Sequence, residues 1–496
     1  MTNIQQRSTR SSQLFVFIFC LVFRFFNAHL TRTYDNPDEY WQSQEVAHNL
    51  VFGNGYLTWE WREKIRSFAH PIIIAALYKL IQWMGLDNTQ LLVVVPRYFQ
   101  AVLTAMADVA TFTLAKKVIG NQIAPFILFT SLCSWFNFFM AARTLSNSIE
   151  MVFTILALNY WPLTGHCSLR NYRIALILAS IACVMRPTNA LIWLFLGIHL
   201  LIISPYRVKL AMNAAGVVSI VLLLNTLLDT RLFTGVWSFK VFTPWLFFKT
   251  NVINSISLFY GVHTWHWYLT QGIPVILTTF LPFVGFGLYR MDKAIYDRIK
   301  ILLGLTIWMI IVYSLLPHKE FRFIFPIVPI LFIVAAYGLQ QSRWRKRWAV
   351  LLVLTQIPMA IYFSVWHQRG VMDAMLWIRN EPSVQSVGVL MPCHSTPWYS
   401  IVHKNIPMWF LTCEPPLANT MDEADEFYAS PFEFLKVNHL RPASHLILFD
   451  NLVPQIVNYL KEYEECQRFF NSHFHDDSRR RGDVVIFCHH SSIPKK

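Results

Sequence analysis

The densest chemistry in the sequence lies between Thr33 and Ser67, TYDNPDEYWQSQEVAHNLVFGNGYLTWEWREKIRS. This stretch carries the carboxylates Asp35, Asp38, Glu39, Glu45, Glu60 and Glu63 among the rings of Tyr40, Trp41, Tyr56, Trp59 and Trp61. Asp38 and Glu39 are adjacent, and neighbouring side chains in a helix or a strand point in different directions. They are therefore expected to divide two tasks: one deprotonates an acceptor hydroxyl, and the other holds a substrate or the loop itself. The plainer alternative is a solvated acidic pair complementing a helix N-terminus. Trp59, Glu60 and Arg66 follow. Tryptophans beside a membrane serve as interfacial anchors, and they also make apolar platforms for the faces of sugars.

A second constellation is cationic. In Pro317-His318-Lys319-Glu320-Phe321-Arg322-Phe323, three basic side chains precede an apolar run. Lys as a point charge and Arg as a planar fork suit a phosphate. The alternative is a set of snorkelling side chains with Glu320 pairing one of them. A third segment, Tyr260-Gly261-Val262-His263-Thr264-Trp265-His266-Trp267-Tyr268, places two histidines three apart, a spacing that puts both on one helix face. A zinc pair ordinarily has a Cys, Asp or Glu ligand close by. None is evident here, so the expectation is aromatic packing with a polar substrate wall, and neither metal nor cofactor. Asp108, Arg143 and Arg186 lie in or beside apolar runs and read as structural pairs without assigned roles.

These residues sit in a chain of 496 residues that is 55% hydrophobic and only 14% charged, against about 25% for a soluble domain. With a mean hydropathy of +0.39, this describes a polytopic α-helical membrane protein. The net charge of +14 does not indicate nucleic acid, because the basic residues form short clusters between apolar runs, as cytoplasmic loops do. A cytosolic tail over 1–11 precedes a retained signal-anchor helix over 12–30. Further apolar runs are 90–114, 123–142, 148–163, 174–185, 190–203, 210–228, 271–289, 301–316, 323–339 and 349–363. Placing every basic cluster in the cytosol gives about eleven spans, with Phe68 to Met84 dipping in or lying along the surface. The acidic loop (31–67), a second large loop (229–270) and everything after Phe363 then share one side. Residues 12–365 form the membrane region and 366–496 a small α/β domain. In that domain 386–391, 445–449 and 484–487 read as strands, 372–380 and 454–463 as helices, and Asp422 to Glu426 as a solvated acidic turn. Cys20, Cys133 and Cys183 read as core thiols. Cys393, Cys413, Cys466 and Cys488 permit one or two disulfides if they face an oxidising compartment.

Three segments, NPDEYWQSQEVAHNLVFGNGYLTWEW, YGVHTWHWYLTQGIP and HKEFRFIFPIVPI, together resemble the dolichyl-phosphate-mannose-dependent mannosyltransferases of glycosyltransferase family twenty-two. The resemblance covers about Phe23 to Leu339. The tail segments MPCHSTPWYSIVH, FLTCEPP and DEADEFY resemble the branch that adds the third, α1,2-linked mannose to the GPI glycolipid precursor. The resemblance implies a GT-C-type fold and an inverting, metal-independent transfer on the lumenal side of the endoplasmic reticulum membrane. Dolichyl-phosphate-mannose is the donor and the GPI precursor the acceptor. Asp38 takes the place of the catalytic carboxylate, with Glu39 beside it. His318, Lys319 and Arg322 match the donor-phosphate positions, while Trp59, Glu60, Arg66, His263 and His266 fall to substrate binding. The sequence departs from the family pattern at Asn36, where His is frequent, and at Thr264, where Pro is common. The expected protein is a monomer among ER membrane lipids. The alternatives are a mannosyltransferase of N-glycan precursor assembly and, from another class, a lipid or sugar transporter. A transporter would place its ionisable groups near mid-membrane at broken helices, whereas here they cluster at the ends of runs.

Overall fold

The computed structural model describes residues 3–164, 168–415, 421–438 and 440–492. Met1 and Thr2 of the N-terminal segment and Pro416, the last residue of FLTCEPP, lie outside them. The chain divides into two compact units.

The first unit, Met1–His29, Glu63–His70 and Arg97–Ile361, is helical. Among the described residues of the whole chain, seven helices are long and apolar enough to cross a membrane: Ser12–Leu30, Leu91–Val118, Arg207–Thr234, Tyr268–Tyr289, Lys293–Leu315, Phe321–Gln341 and Arg345–Asn380. Asn121–Cys133 and Trp135–Ala141 make a further pair bent by 66°. Ser134 accounts for the break: its extended backbone ends one helix while its side chain accepts from the Asn137 N–H and starts the next. Three expected runs form helices of 14 to 17 residues, Ser146–Tyr160, Leu169–Met185 and Ala190–Ile203. Ala69–Trp83, the segment expected to dip or lie flat, is a helix of 15 residues.

Phe321–Gln341 is the central helix of this unit, with 89% of its apolar segment buried, against 17% for Arg207–Thr234. It meets the helix Leu281–Tyr289 backbone to backbone. A Cβ on Gly338 would lie 2.0 Å from the Phe283 carbonyl, and one on Gly287 2.4 Å from the Val334 carbonyl. Small residues allow such approaches where no hydrophobic force drives helices together. Asp108 is a structural pair, as its sequence context predicts: Arg24 donates to it through Nε and Nη2 at 2.6 and 2.8 Å. Arg186 pairs with Glu150 at 3.4 Å. The Arg143 guanidinium covers the Phe139 ring at 4.3 Å.

The second unit is Leu30–Arg62, Pro71–Pro96 and Tyr362–Lys496. Its centre is a sheet of five strands, β1 (Val387–Leu390), β2 (Met408–Phe410), β3 (His445–Phe449), β4 (Tyr463–Phe469) and β5 (Val484–His489), in the order β2-β1-β3-β5-β4. β1 runs parallel to β2 and β3, and β5 runs antiparallel to β3 and β4. Alternate residues serve opposite faces. Val387, Val389, Ile447, Phe449, Val484 and Ile486 pack on the helix Gly370–Asn380, and that same core takes in Tyr34, Tyr40 and Trp41 of the acidic loop. Leu390, Leu446, Leu448, Val485 and Phe487 face Phe427 and Phe434 on the other side. The acidic loop is thus part of the sheet's own hydrophobic core.

Two sequence expectations are corrected here. Residues 454–463 do not form one continuous helix. They contribute to two short 3₁₀ helices, Asp450–Gln455 and Tyr459–Glu462, and the chain enters β4 at Tyr463. Asp422 to Glu426 is a helix start rather than a turn: the Asp422 side chain accepts from the Asp425 N–H and opens the helix Glu423–Ala429, where acidic residues in the first turn suit the helix dipole. The disulfides pair Cys393 with Cys413 and Cys466 with Cys488.

Candidate active site

In the second unit, the acidic loop leaves the first helix in an extended path held by the C-terminal segment. The Arg32 and Tyr34 N–H groups donate to Ser364 and Gln368 carbonyls at 2.8 and 3.1 Å. Asn36 then closes a turn, its side-chain oxygen accepting from the Asp38 N–H at 2.9 Å, the local bond that makes Asn and Asp turn formers. The adjacent carboxylates separate as their neighbouring positions dictate: Glu39 is fully buried, while Asp38 is partly exposed. Of the two, Asp38 is the one that reaches the surface.

Trp41 anchors the loop. Its indole N–H donates to the Thr396 carbonyl at 3.0 Å, and its ring lies 4.3 Å from the His394 ring and 5.1 Å from Phe410. The buried Glu45 accepts from the backbone N–H groups of Ser400, Tyr399 and Tyr56 at 2.9, 3.2 and 3.1 Å. Burial nevertheless pushes its carboxyl up to about 7, because desolvation outweighs those bonds. His48 continues the connection: Nε2 lies 2.8 Å from His403 Nδ1, and His403 reaches Asp87 at 3.5 Å. Burial holds His48 neutral by lowering it to about 4. Of the expected substrate residues, Glu60 accepts from Gln42 at 2.8 Å, and Trp59 borders a narrow cleft with Tyr56, His394 and Phe410.

In the first unit, the cationic segment is bound up by its own carboxylate. Arg322 donates through Nε and Nη2 to the two Glu320 oxygens at 2.6 and 2.8 Å, and His318 Nε2 lies 3.2 Å from the same group. Burial alone would raise Glu320, but Arg322 and His318 override it and hold the carboxyl well below the usual range. Burial would likewise lower His318, yet its bond to Glu320 leaves it raised. Lys319 is buried, and its ammonium donates to the His263 carbonyl at 3.1 Å and to the Leu316 carbonyl. Lys319 and Arg322 against Glu320 leave one net positive charge, and protonated His318 adds a second. That suits a phosphate ester, which a desolvated cation holds more strongly than an exposed one.

His263 and His266 do not share a helix face as expected. Both precede the helical segment that begins at Tyr268. His263 stacks on Trp267 at 4.9 Å, and His266 Nδ1 lies 3.3 Å from the Thr270 hydroxyl. Arg66 lies over the Phe247 ring at 6.0 Å. Two His/Cys groups among the described residues have a metal-like spacing, Cys393–His394–Cys413 and His445–Cys466–Cys488, but their sulfurs are joined in disulfides. The expected site residues thus fall into two sets. Asp38, Glu39, Trp59 and Glu60 belong to the second unit, and Arg66, His263, His266, His318, Lys319 and Arg322 to the first.

Sequence reasoning gave His394 no role in a site, and it read Arg186 as a structural pair, which the contact with Glu150 bears out. His394 stands inside the MPCHSTPWYSIVH tail segment, which marks a branch of the family but names no role. Arg186 lies over the Phe323 ring at 5.4 Å, next to Arg322, and only its place at the end of an apolar run marked it.

The fold is that of solved membrane glycosyltransferases. The structure aligns with ArnT from Cupriavidus metallidurans bound to undecaprenyl phosphate at a TM-score of 0.62, with 12% identity, covering 97% of this chain and 99% of that one. It aligns with the oligosaccharyltransferase AglB from Archaeoglobus fulgidus at 0.53, with 13% identity, covering 90% and 70%. By sequence the chain is 39% identical to GPI alpha-1,2-mannosyltransferase 3 of Homo sapiens over 95% of this chain and 87% of that protein. It is equally identical, at 39%, to GPI mannosyltransferase 3 of Yarrowia lipolytica (95% and 96%) and to mannosyltransferase APTG1 of Arabidopsis thaliana (97% and 93%). With residues 15–403 matching the family as a whole, this chain belongs to the Alg9-like mannosyltransferase family.

Proposed function

We propose that the protein transfers the third, α1,2-linked mannose from dolichyl-phosphate-mannose to the GPI-anchor precursor at the lumenal face of the endoplasmic reticulum membrane. The observation that carries this is the near full-length identity with proteins named GPI mannosyltransferase 3. Asp38 is the base: it takes the proton as the acceptor hydroxyl oxygen bonds to the anomeric carbon of the donor mannose. The bond from that carbon to the phosphate oxygen breaks, its electron pair leaves with dolichyl phosphate, and the β-linked donor gives an α-linked product. Lys319, Arg322 and His318 stabilise the charge that gathers on the departing phosphate. Glu39 holds the loop that presents Asp38. Trp59, Glu60, Arg66, His263 and His266 meet the substrates, and the chain requires no metal or cofactor.

Taking the seven long helices, the bent pair and the three shorter ones among the described residues as spans supports a reading of eleven. With the basic clusters assigned to the cytosol, eleven spans have the N-terminus there and the acidic loop with residues 366–496 in the lumen. The two disulfides in the C-terminal segment support an oxidising compartment on that side.

The test is complementation with lipid analysis. In cells lacking GPI mannosyltransferase 3, the intact chain should convert the accumulating two-mannose GPI intermediate to the three-mannose form, and an Asp38→Ala version should not. Unchanged GPI lipids together with extension of truncated N-glycan precursors would move the acceptor to the other branch of the family.

A further inference from the structure

Asp229 is a buried carboxylate that the proposed roles leave out. It lies in the helix Arg207–Thr234, fully buried and, among the described residues, without a cationic partner. A carboxylate in a segment able to span a membrane is costly and is usually kept for a function. Every group that bonds to it is a donor. One oxygen accepts from the Phe68 N–H at 2.8 Å and from the Ser67 hydroxyl at 3.1 Å, a hydroxyl that also lies 3.0 Å from Asn225 Oδ1. The other oxygen accepts from the Asn225 side-chain amide at 2.9 Å and from the Thr243 hydroxyl at 2.9 Å. Four donors fill the acceptor capacity of an ionised carboxylate. Asp229 therefore has nothing left to offer a substrate, and it acts through what it holds.

It holds two separate segments of the first unit. Ser67 and Phe68 follow directly on Arg66, and the Phe68 ring packs on Phe233 of the Asp229 helix at 4.6 Å. Thr243 opens the short helix Thr243–Phe248, which carries Phe247. The two segments meet at a guanidinium, because Arg66 lies over the Phe247 ring at 6.0 Å. One carboxylate thus fixes the backbone that carries Arg66 with one oxygen, and with the other the helix that carries the ring beneath it. The next residue adds to the hold: the Thr230 hydroxyl accepts from the Val241 N–H at 3.0 Å, two residues before Thr243. An arginine side chain loses much rotamer freedom when it is ordered. A backbone already pinned, with a ring already under the head group, lowers the cost of ordering it at the moment of binding.

We infer that Asp229 is a positioning residue that sets Arg66 in place for the substrate. The inference rests on the substrate role proposed above for Arg66 and adds the group that aims it.

The experiment is steady-state transfer in membranes from cells lacking GPI mannosyltransferase 3 and expressing the full chain, with two-mannose GPI lipid and dolichyl-phosphate-mannose varied separately. A hydrogen bond from a charged group is worth about 10- to 100-fold in affinity, so Arg66→Ala should raise the KM of the substrate that Arg66 meets by about that factor. Asp229→Asn should raise the same KM about tenfold, with little change in kcat and none in the other KM. The double variant should match Arg66→Ala alone, because Asp229 has no effect left to lose once Arg66 is gone. Thr243→Val keeps the shape and removes one hydroxyl. It should raise that KM about threefold, and it reads the hold even if Asp229→Asn fails to fold. Unchanged KM values in Asp229→Asn and Thr243→Val overturn the inference alone, and so do effects of Asp229→Asn and Arg66→Ala that multiply in the double variant. Arg66→Ala that leaves both KM values unchanged removes Arg66 from substrate binding, and the inference falls with it.

Discussion

The acidic loop and the Pro317–Phe323 segment each bury a glutamate, and the two glutamates are driven in opposite directions. Glu45 is surrounded by backbone N–H groups and apolar rings, with no cation among the groups that shift it, and its carboxyl rises to about 7. Glu320 faces Arg322 in a two-bond fork and His318 beside it, and it stays ionised. At Glu45 the backbone N–H bonds do not repay the loss of water around the carboxylate, whereas at Glu320 the guanidinium at hydrogen-bond distance does. In the acidic loop burial therefore raises one carboxyl, that of Glu45. The cationic segment is built on fixed charge. Holding a phosphate calls for the second kind of environment.

The sharpest test of this contrast is Asp38→Asn. It should lower transfer on the order of a thousandfold without changing protein level or membrane insertion, as measured by initial rates in isolated membranes. Near-normal transfer would remove the acidic loop as the source of the base. Arg322→Ala should lower transfer about 100-fold and raise the donor KM. Arg322→Lys should not restore it, since an ammonium cannot reproduce the fork, and full rescue by Lys would reduce the segment to a simple point charge.

A smaller effect belongs to Glu45. Its folded value lies above the ordinary 4.5, so the native state keeps a proton that the unfolded chain gives up. Stability should therefore fall as pH rises from about 4.5 to about 7 and level off above, by about 3 kcal/mol at most. Glu45→Gln should flatten that slope in thermal denaturation of the detergent-solubilised protein. Glu320, held low, contributes stability that is present above pH 4.5 and lost only on further acidification, so it adds no slope in the same window. The smallest expected change is for Asn36→Ala, which loses the turn that presents Asp38. At about 1 kcal/mol for such a side-chain-to-backbone bond, transfer should fall roughly fivefold, and Asn36→Asp should retain most of it.

Much of this was legible in the sequence, for identifiable reasons. Apolar runs and basic clusters are local signals, and every expected run forms a helix. Three strands of the sheet were visible as short apolar runs. β2 was not, because it is only three residues long, and β4 was not, because Tyr463–Phe469 is a mostly exposed edge strand rich in charge. The shared face expected for His263 and His266 failed because helical spacing means nothing in a segment that is not yet helical. The packing of His394 was invisible because its partners Tyr34 and Trp41 lie more than 350 residues upstream, at a separation of 360 for the Tyr34 bond, and no spacing rule reaches that far.

That separation also sets an order of events during synthesis. The ribosome must add the residues between Tyr34 and His394 before the hydroxyl of one can meet the carbonyl of the other. At 5–20 residues per second this is roughly 20–70 s. For that interval Tyr40 and Trp41 have no core to enter, and afterwards the Cys393–Cys413 bond must still form. The loop that carries the proposed base is thus among the first parts of the chain to be made and among the last to be finished. A chain truncated before the sheet is made would leave those rings without the core they pack into.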